Sequence, residues 1–182
     1  MFYHVAQNVP DGLTEVKTRI RSTFGQVVLA MSVLPRYRHH SIADLSHLVI
    51  DPLARDRIAI AQQKGEDGEP NAAAPAAIAI WATVSPEVDS KIREQIAGGS
   101  FPVRLKAEEW ASGEIARLLD VIAPTQKLAT AVLAGFRQVA KQENLHIHPI
   151  VGRLVGPEAL KALGAKGQDL SERSTAPSAA VN

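Results

Sequence analysis

The 182-residue chain contains no cysteine. That absence excludes a disulfide framework, a Cys-ligated zinc or iron–sulfur site, and a cysteine nucleophile. Any acyl-transfer chemistry must therefore avoid an acyl-cysteine intermediate. Aromatic residues make up only 4% of the chain, so Trp81 and Trp110 occupy selected places. No window approaches the roughly 18 uninterrupted apolar residues of a membrane span. The longest apolar stretch, from Ala72 to Val84, is interrupted by Pro75 and Thr83. The first residues, MFYHVAQNVPDGLTEVK, lack a basic segment followed by an apolar one, so no secretory signal is expected. A cytoplasmic location follows as the expectation. The formal net charge is only +1. Binding to a polyanion by bulk charge is therefore not expected, and nucleic acid is not an expected partner. The Walker A, G-x-G-x-x-G, H-E-x-x-H and G-x-S-x-G motifs are all missing.

What is present is a chain with 46% hydrophobic residues, long enough for one domain with a real core. We place that domain at residues 1–163. The segment 164–182, GAKGQDLSERSTAPSAAVN, has the composition of a disordered tail. From Asp11, a plausible N-cap, Leu13, Val16, Ile20, Phe24, Val27, Val28 and Met31 recur at steps of three and four. They predict a core-facing helical stripe with a weak point at Gly25, ended by Pro35. Ser41-Ile-Ala-Asp44 reads as a variant capping box that opens a short second helix. Arg57–Ala61 and Ala77–Val84 read as the strands of a hairpin, joined by a loop at Lys64–Ala74. Ser85 or Pro86 opens a helix that Gly98-Gly99 ends. Glu114–Ala123 predicts a buried strand, Thr125–Asn144 a helix, and Leu145–Val151 a last strand. Pro157–Leu163 predicts a short helix. This order predicts a three-layer α+β domain with a mixed, mostly antiparallel sheet flanked by helices.

Few residues stand out chemically. Asp120 lies inside the apolar run Ile115-Ala-Arg-Leu-Leu-Asp-Val-Ile-Ala, where alternation puts it on the face of Leu118 and Ile122. A carboxylate there is costly unless it is paired, which leaves a catalytic group and a structural anchor both open. Arg36-Tyr-Arg38-His39-His40 is a compact cationic loop; arginine can grip a phosphate or carboxylate with two parallel hydrogen bonds. His146 and His148 fall on one face if that segment is a strand. With no third ligand evident nearby, no metal site is expected.

Four blocks then occur in order: Val33-Leu-Pro35 with Arg38 just after it, Ile80-Trp81-Ala, Glu109-Trp110-Ala-Ser-Gly113, and Leu119-Asp120-Val-Ile-Ala-Pro124. This string, covering roughly Phe24 to Pro124, resembles the toxin-activating lysine acyltransferase family, the enzymes that acylate RTX hemolysin protoxins. The resemblance implies a GNAT-like fold. It also implies transfer of a fatty acyl group from acyl carrier protein to an internal lysine of a partner protein, with Asp120 at the position of the catalytic aspartate. No permanently bound cofactor is implied; acylated carrier protein is the donor. Arg36 and Arg38 become candidates for contacting the acidic carrier or its phosphopantetheine, and Trp81 and Trp110 candidates for lining the substrate or carrier site. A homodimer stays open.

The chain departs from the family at one point. The family pairs the aspartate with a histidine in or before the first helix, and the matching position here is Arg21. Two designs remain: Asp120 acts directly or through a water, or His39 or His40 approaches from the loop and supplies the base. The R-x-x-G-x-G/A signature of Coenzyme A-dependent GNAT enzymes is also absent after Asp120, where Ala123-Pro-Thr-Gln-Lys-Leu stands. That fits a donor presented by a carrier protein. The competing expectation is a catalytically inactive adaptor of the same fold that binds a carrier or secreted partner.

Overall fold

The computed structural model describes residues 11–61, 77–140 and 145–155. The expected hairpin loop at Lys64–Ala74, the helix at Pro157–Leu163 and the tail at 164–182 fall outside the described residues. Four strands form one sheet in the order β1 (Ile58–Ala61), β2 (Ala77–Val84), β3 (Ile115–Ile122) and β4 (Leu145–Ile147). β1 pairs with β2 and β2 with β3 antiparallel, while β3 and β4 run parallel. The sheet is mixed and mostly antiparallel, as the sequence predicts. Its central strands read as near-continuous apolar runs because both faces are covered: every residue of β3 from Ala116 to Ile122 is buried.

Two cores result. On one face, α1 (Asp11–Ser32), α3 (Pro86–Ala97) and the turns between them cover Ile78, Ile80, Leu119 and Ile122 with Val27, Met31, Tyr37 and Ile92. On the other, α4 (Gln126–Ala140) lays Leu128, Val132, Leu133 and Phe136 over Ala79, Ala116, Leu118 and Val121. These layers are the predicted three.

Local chemistry sets the element ends. Ser85 caps α3, its hydroxyl accepting from the Val88 N–H at 3.4 Å, with Pro86 at the first helical position. Gly99, at φ 76°, takes the left-handed conformation just past the helix end. Ser41 and Asp44 form the predicted reciprocal box, but around a 3-10 turn, Ile42–Asp44, followed by a π-turn at Ser46–Ile50 and the short α2 (Asp51–Leu53).

Four expectations need correction. First, α1 runs unbroken through Gly25. Second, only the later part of its stripe is buried: Val27, Ala30 and Met31 are inside, while Val16 and Ile20 are each 47% exposed. Third, the last strand stops at Ile147, because His148 turns the chain and N-caps α5 (Pro149–Leu154); its Nδ1 accepts from the Ile150 N–H at 3.1 Å. His146 and His148 therefore do not share a strand face.

The fourth correction concerns β3 itself. Ile80 faces Asp120 and the next residue, Trp81, faces Leu118, so Leu119 is an extra residue, a β-bulge. Alternation breaks there. Leu119 and Ile122 belong to the core under α1 and α3, and Leu118 to the core under α4. Asp120 meets Tyr37, on the α1 side, and so lies opposite Leu118, not beside it.

Candidate active site

The turn after α1 delivers the first two site residues. Pro35 cannot continue the helix, and Pro35–Tyr37 wind into a single 3-10 turn. Two adjacent side chains of that turn, Arg36 and Tyr37, reach β3 just past its bulge. Arg36 Nη2 donates to Asp120 Oδ1 at 3.2 Å, to the Val121 carbonyl at 2.6 Å and to the Tyr37 hydroxyl at 3.0 Å. The Tyr37 hydroxyl donates in turn to Asp120 Oδ2. Asp120 is only 6% exposed and Tyr37 equally so. A buried carboxylate without partners would be strongly unfavourable; here both oxygens are occupied, one by a cation.

The backbone explains why the guanidinium fits. Trp81 N–H donates to the Arg57 carbonyl at 3.1 Å, so the odd residues of β2 turn toward β1. Val121 stands opposite Ala79 and therefore turns its carbonyl away from β2. On that side β4 has already ended: its last rung joins Leu118 to Ile147, and the His148 N–H donates to the Leu118 carbonyl at 2.9 Å. Arg36 fills the gap beyond and satisfies a carbonyl that no strand among the described residues reaches.

Burial pushes the Asp120 carboxyl up from its ordinary pKa, against the Arg36 charge, the hydroxyl of Tyr37, the Val121 N–H and His40. Burial and the neighbouring carboxylate raise the Tyr37 phenol well above its usual value, so it stays protonated and remains a donor. Around this centre the rings of His40 and Phe101 lie 6.0 and 6.1 Å from that of Tyr37, and His148 meets Phe101 edge-on at 6.0 Å.

The candidates from the sequence separate accordingly. Asp120 and Arg36 come together. His40 is half-buried beside Tyr37, with Nδ1 3.9 Å from Asp44 Oδ2, and acts on Asp120 through its charge. Arg38 and His39 are exposed on the same loop. Arg21 is exposed on α1. Trp81 and Trp110 are core residues on opposite faces of the sheet. Trp81 packs edge-on against Phe136 at 5.7 Å and carries the Arg57 guanidinium 4.3 Å above its ring. Among the described residues no cluster of three or more His, Asp or Glu could hold a metal ion. Tyr37 was missed as a site residue. Its one signal is its place, an aromatic side chain between Arg36 and Arg38 immediately after a proline turn.

A second ion pair sits on the α1 side of β3. Arg117, 2% exposed, donates from Nε to Asp89 Oδ1, and Arg93 Nε reaches Asp89 Oδ2 at 3.1 Å. Burial works to raise the Asp89 pKa, but Arg117, Arg93 and His146 together hold it below the usual carboxylate value. This pair ties α3 to the sheet.

The E-W-A-S-G block has a structural reason for its glycine. Gly113 N–H donates to the Thr83 carbonyl at 3.2 Å. A Cβ on it would meet the Val84 carbonyl oxygen at 2.6 Å and the Ser85 Cα and N at 2.7 Å. Only glycine lets this segment pack so closely on the end of β2.

No helix among the described residues is long and apolar enough to cross a membrane. No curated protein matches the chain. The model of the RTX toxin acyltransferase family does match, over residues 16–148. That span contains the V-L-P turn, the bulged strand with Asp120 and the strand that ends beside it, and the chain belongs to the RTX toxin acyltransferase family.

Proposed function

We propose that the chain moves a fatty acyl group from acyl carrier protein to the side-chain amine of an internal lysine in a partner protein, an RTX-type protoxin. The observation that carries this reading is Asp120, a carboxylate buried on the bulged central strand with a cation and a phenol fixed on its two oxygens. The lysine nitrogen attacks the thioester carbonyl carbon, the C–S bond breaks, and the carrier thiol leaves with a proton. A lysine ammonium has a reference pKa of about 10.4, so it must shed a proton before or during attack. Asp120 is the acceptor or orienter for that proton. Exposed Arg38 offers positive charge to an acidic carrier protein, with His39 and His40 beside it. The parallel β3–β4 pair, whose last rung is Leu118–Ile147, supports a GNAT-like reading of the fold. A cytoplasmic site of action fits a donor drawn from acyl carrier protein.

The test mixes the full chain with acylated carrier protein and a candidate protoxin and reads lysine mass shifts of one fatty acyl group. Asp120→Asn should abolish transfer; full activity in that variant removes Asp120 from the mechanism. Single replacements of His39 and His40 report whether either supplies a base.

Two observations favour the second reading, a non-catalytic adaptor: Asp120 is covered, and Arg21 stands where the family resemblance implies a histidine. Stable capture of the partner, with no acylation by any acylated carrier, would establish the adaptor.

A further inference from the structure

The environment of one nitrogen atom is unusual. Arg36 Nη2 has two N–H bonds but meets three acceptors: Asp120 Oδ1 at 3.2 Å, the Val121 carbonyl at 2.6 Å and the Tyr37 hydroxyl oxygen at 3.0 Å. The phenol spends its own proton on Asp120 Oδ2 and is left as an acceptor. A primary ammonium carries three donors on one compact nitrogen and would satisfy all three oxygens at once. The rest of the guanidinium is poorly served: Arg36 Nε is buried with no partner among the described residues. An unsatisfied buried donor calls for an explanation. The three oxygens match an ammonium better than the group that fills them.

We propose that the oxygens of Asp120, Val121 and Tyr37 form the binding cradle for the acceptor lysine's ammonium, and that Arg36 is an internal plug that the substrate lysine displaces. The inference rests on the lysine acyltransferase reading for its biological ligand. The site follows from the geometry alone. It places the substrate nitrogen in hydrogen-bond contact with the Asp120 carboxylate, the acceptor or orienter for its proton. It also gives the covered state of Asp120 a meaning: the side chain of Arg36, 17% exposed, is the cover on the solvent side. While Arg36 occupies the cradle, apparent affinity for an outside amine falls by the fraction of molecules with the cradle open.

Binding of a simple ammonium tests this without any acyl donor, so failure of the cradle is read separately from failure of acyl transfer. Melting of the full chain is followed with methylammonium, and with tetramethylammonium as a control that has the charge but no N–H. Arg36→Ala should be stabilised saturably by methylammonium and not by tetramethylammonium. The unsubstituted chain should bind methylammonium at least about tenfold more weakly. Adding Asp120→Asn to Arg36→Ala should remove the response. Arg36→Lys brings its own ammonium and should fold well yet ignore methylammonium. If Arg36→Ala does not fold unaided, recovery of folded protein on refolding with each ion gives the same comparison. Equal responses to the two ions overturn the proposal, as does an Arg36→Lys protein no better folded than Arg36→Ala. Methylammonium binding in a protein that acylates nothing upholds the cradle and counts against the transferase.

Discussion

Replacing Tyr37 with Phe isolates one bond of the site. The ring remains, so its packing against His40 and Phe101 and under the Arg36 guanidinium, whose carbon lies 4.8 Å from the ring centroid, is kept. No cavity opens. Only the hydroxyl that donates to Asp120 Oδ2 is lost. A hydrogen bond to a charged group contributes about 1.5–3 kcal/mol, and Arg36 still holds the other oxygen, so a loss of about 2 kcal/mol is expected. For a chain of this size that lowers Tm by about 4–8 °C. Urea unfolding of the parent, Tyr37→Phe, Asp120→Asn and the double variant gives the coupling between the two side chains. It should come to about 1–2 kcal/mol, with m unchanged. The pH dependence adds a sign. Burial raises the Asp120 pKa in the folded state, so the carboxyl contributes stability below its unfolded pKa, and that contribution is lost as pH rises through the folded value. Removing the hydroxyl raises the folded value further. The deficit of Tyr37→Phe is therefore largest above the folded pKa of Asp120, where the carboxylate is ionised, and shrinks below it. A coupling below about 0.5 kcal/mol, or a deficit equal at every pH, would refute the paired carboxylate.

The remaining predictions concern the frame. Asp89→Ala removes the carboxylate that Arg117 and Arg93 share and should cost about 1.5–3 kcal/mol in chemical denaturation. The Asp89 pKa is depressed on folding, so the pair's stabilisation is present above the unfolded carboxylate pKa and lost as pH falls through the folded one; in the parent this gives a loss on the acid side that Asp89→Ala lacks. Gly113→Ala forces a Cβ onto the Val84 and Ser85 backbone and should destabilise by about 1–3 kcal/mol, with hydrogen exchange rising first at the end of β2. Phe136→Ala leaves a hole beside Trp81 in the core under α4 and should cost about 3–5 kcal/mol, read with the shift in tryptophan fluorescence.

Much of the frame was legible because its signals are local. A capping serine and a proline mark the start of α3, a glycine pair marks its end, and runs of Ile, Val and Ala mark the central strands. What failed were inferences that needed tertiary partners. The first half of the α1 stripe has the right spacing, yet Val16 and Ile20 remain half-exposed, since periodicity shows that a face exists and not what covers it. Alternation carries the expected Leu145–Val151 strand through a histidine that in fact caps a helix, because an X-Pro step at His148-Pro149 marks a helix start as well as an extended segment.

The site shows the same limit more sharply. Asp120 could be picked out because a carboxylate in an apolar run has to be accounted for. Its face could not, since strict alternation is the only rule a sequence offers for a strand and one extra residue inverts it. Leu119 is that residue, and nothing in Leu-Leu-Asp-Val announces it. Without the bulge Asp120 would point into the core under α4, where Leu128, Val132 and Phe136 offer no donor, and a charge there would be untenable. With it, the carboxylate meets Arg36 and Tyr37, residues 84 and 83 positions away that the proline turn aims at β3. The bulge and the turn act together on this carboxylate: one sets its face and the other brings its partners. Deleting Leu119 makes Asp120 follow Leu118 directly, which restores regular alternation and keeps the carboxylate on the Tyr37 side, so the shortened chain should fold and retain the Asp120–Tyr37 coupling. Loss of cooperative unfolding in that deletion would show that the extra residue serves something besides the face of the aspartate.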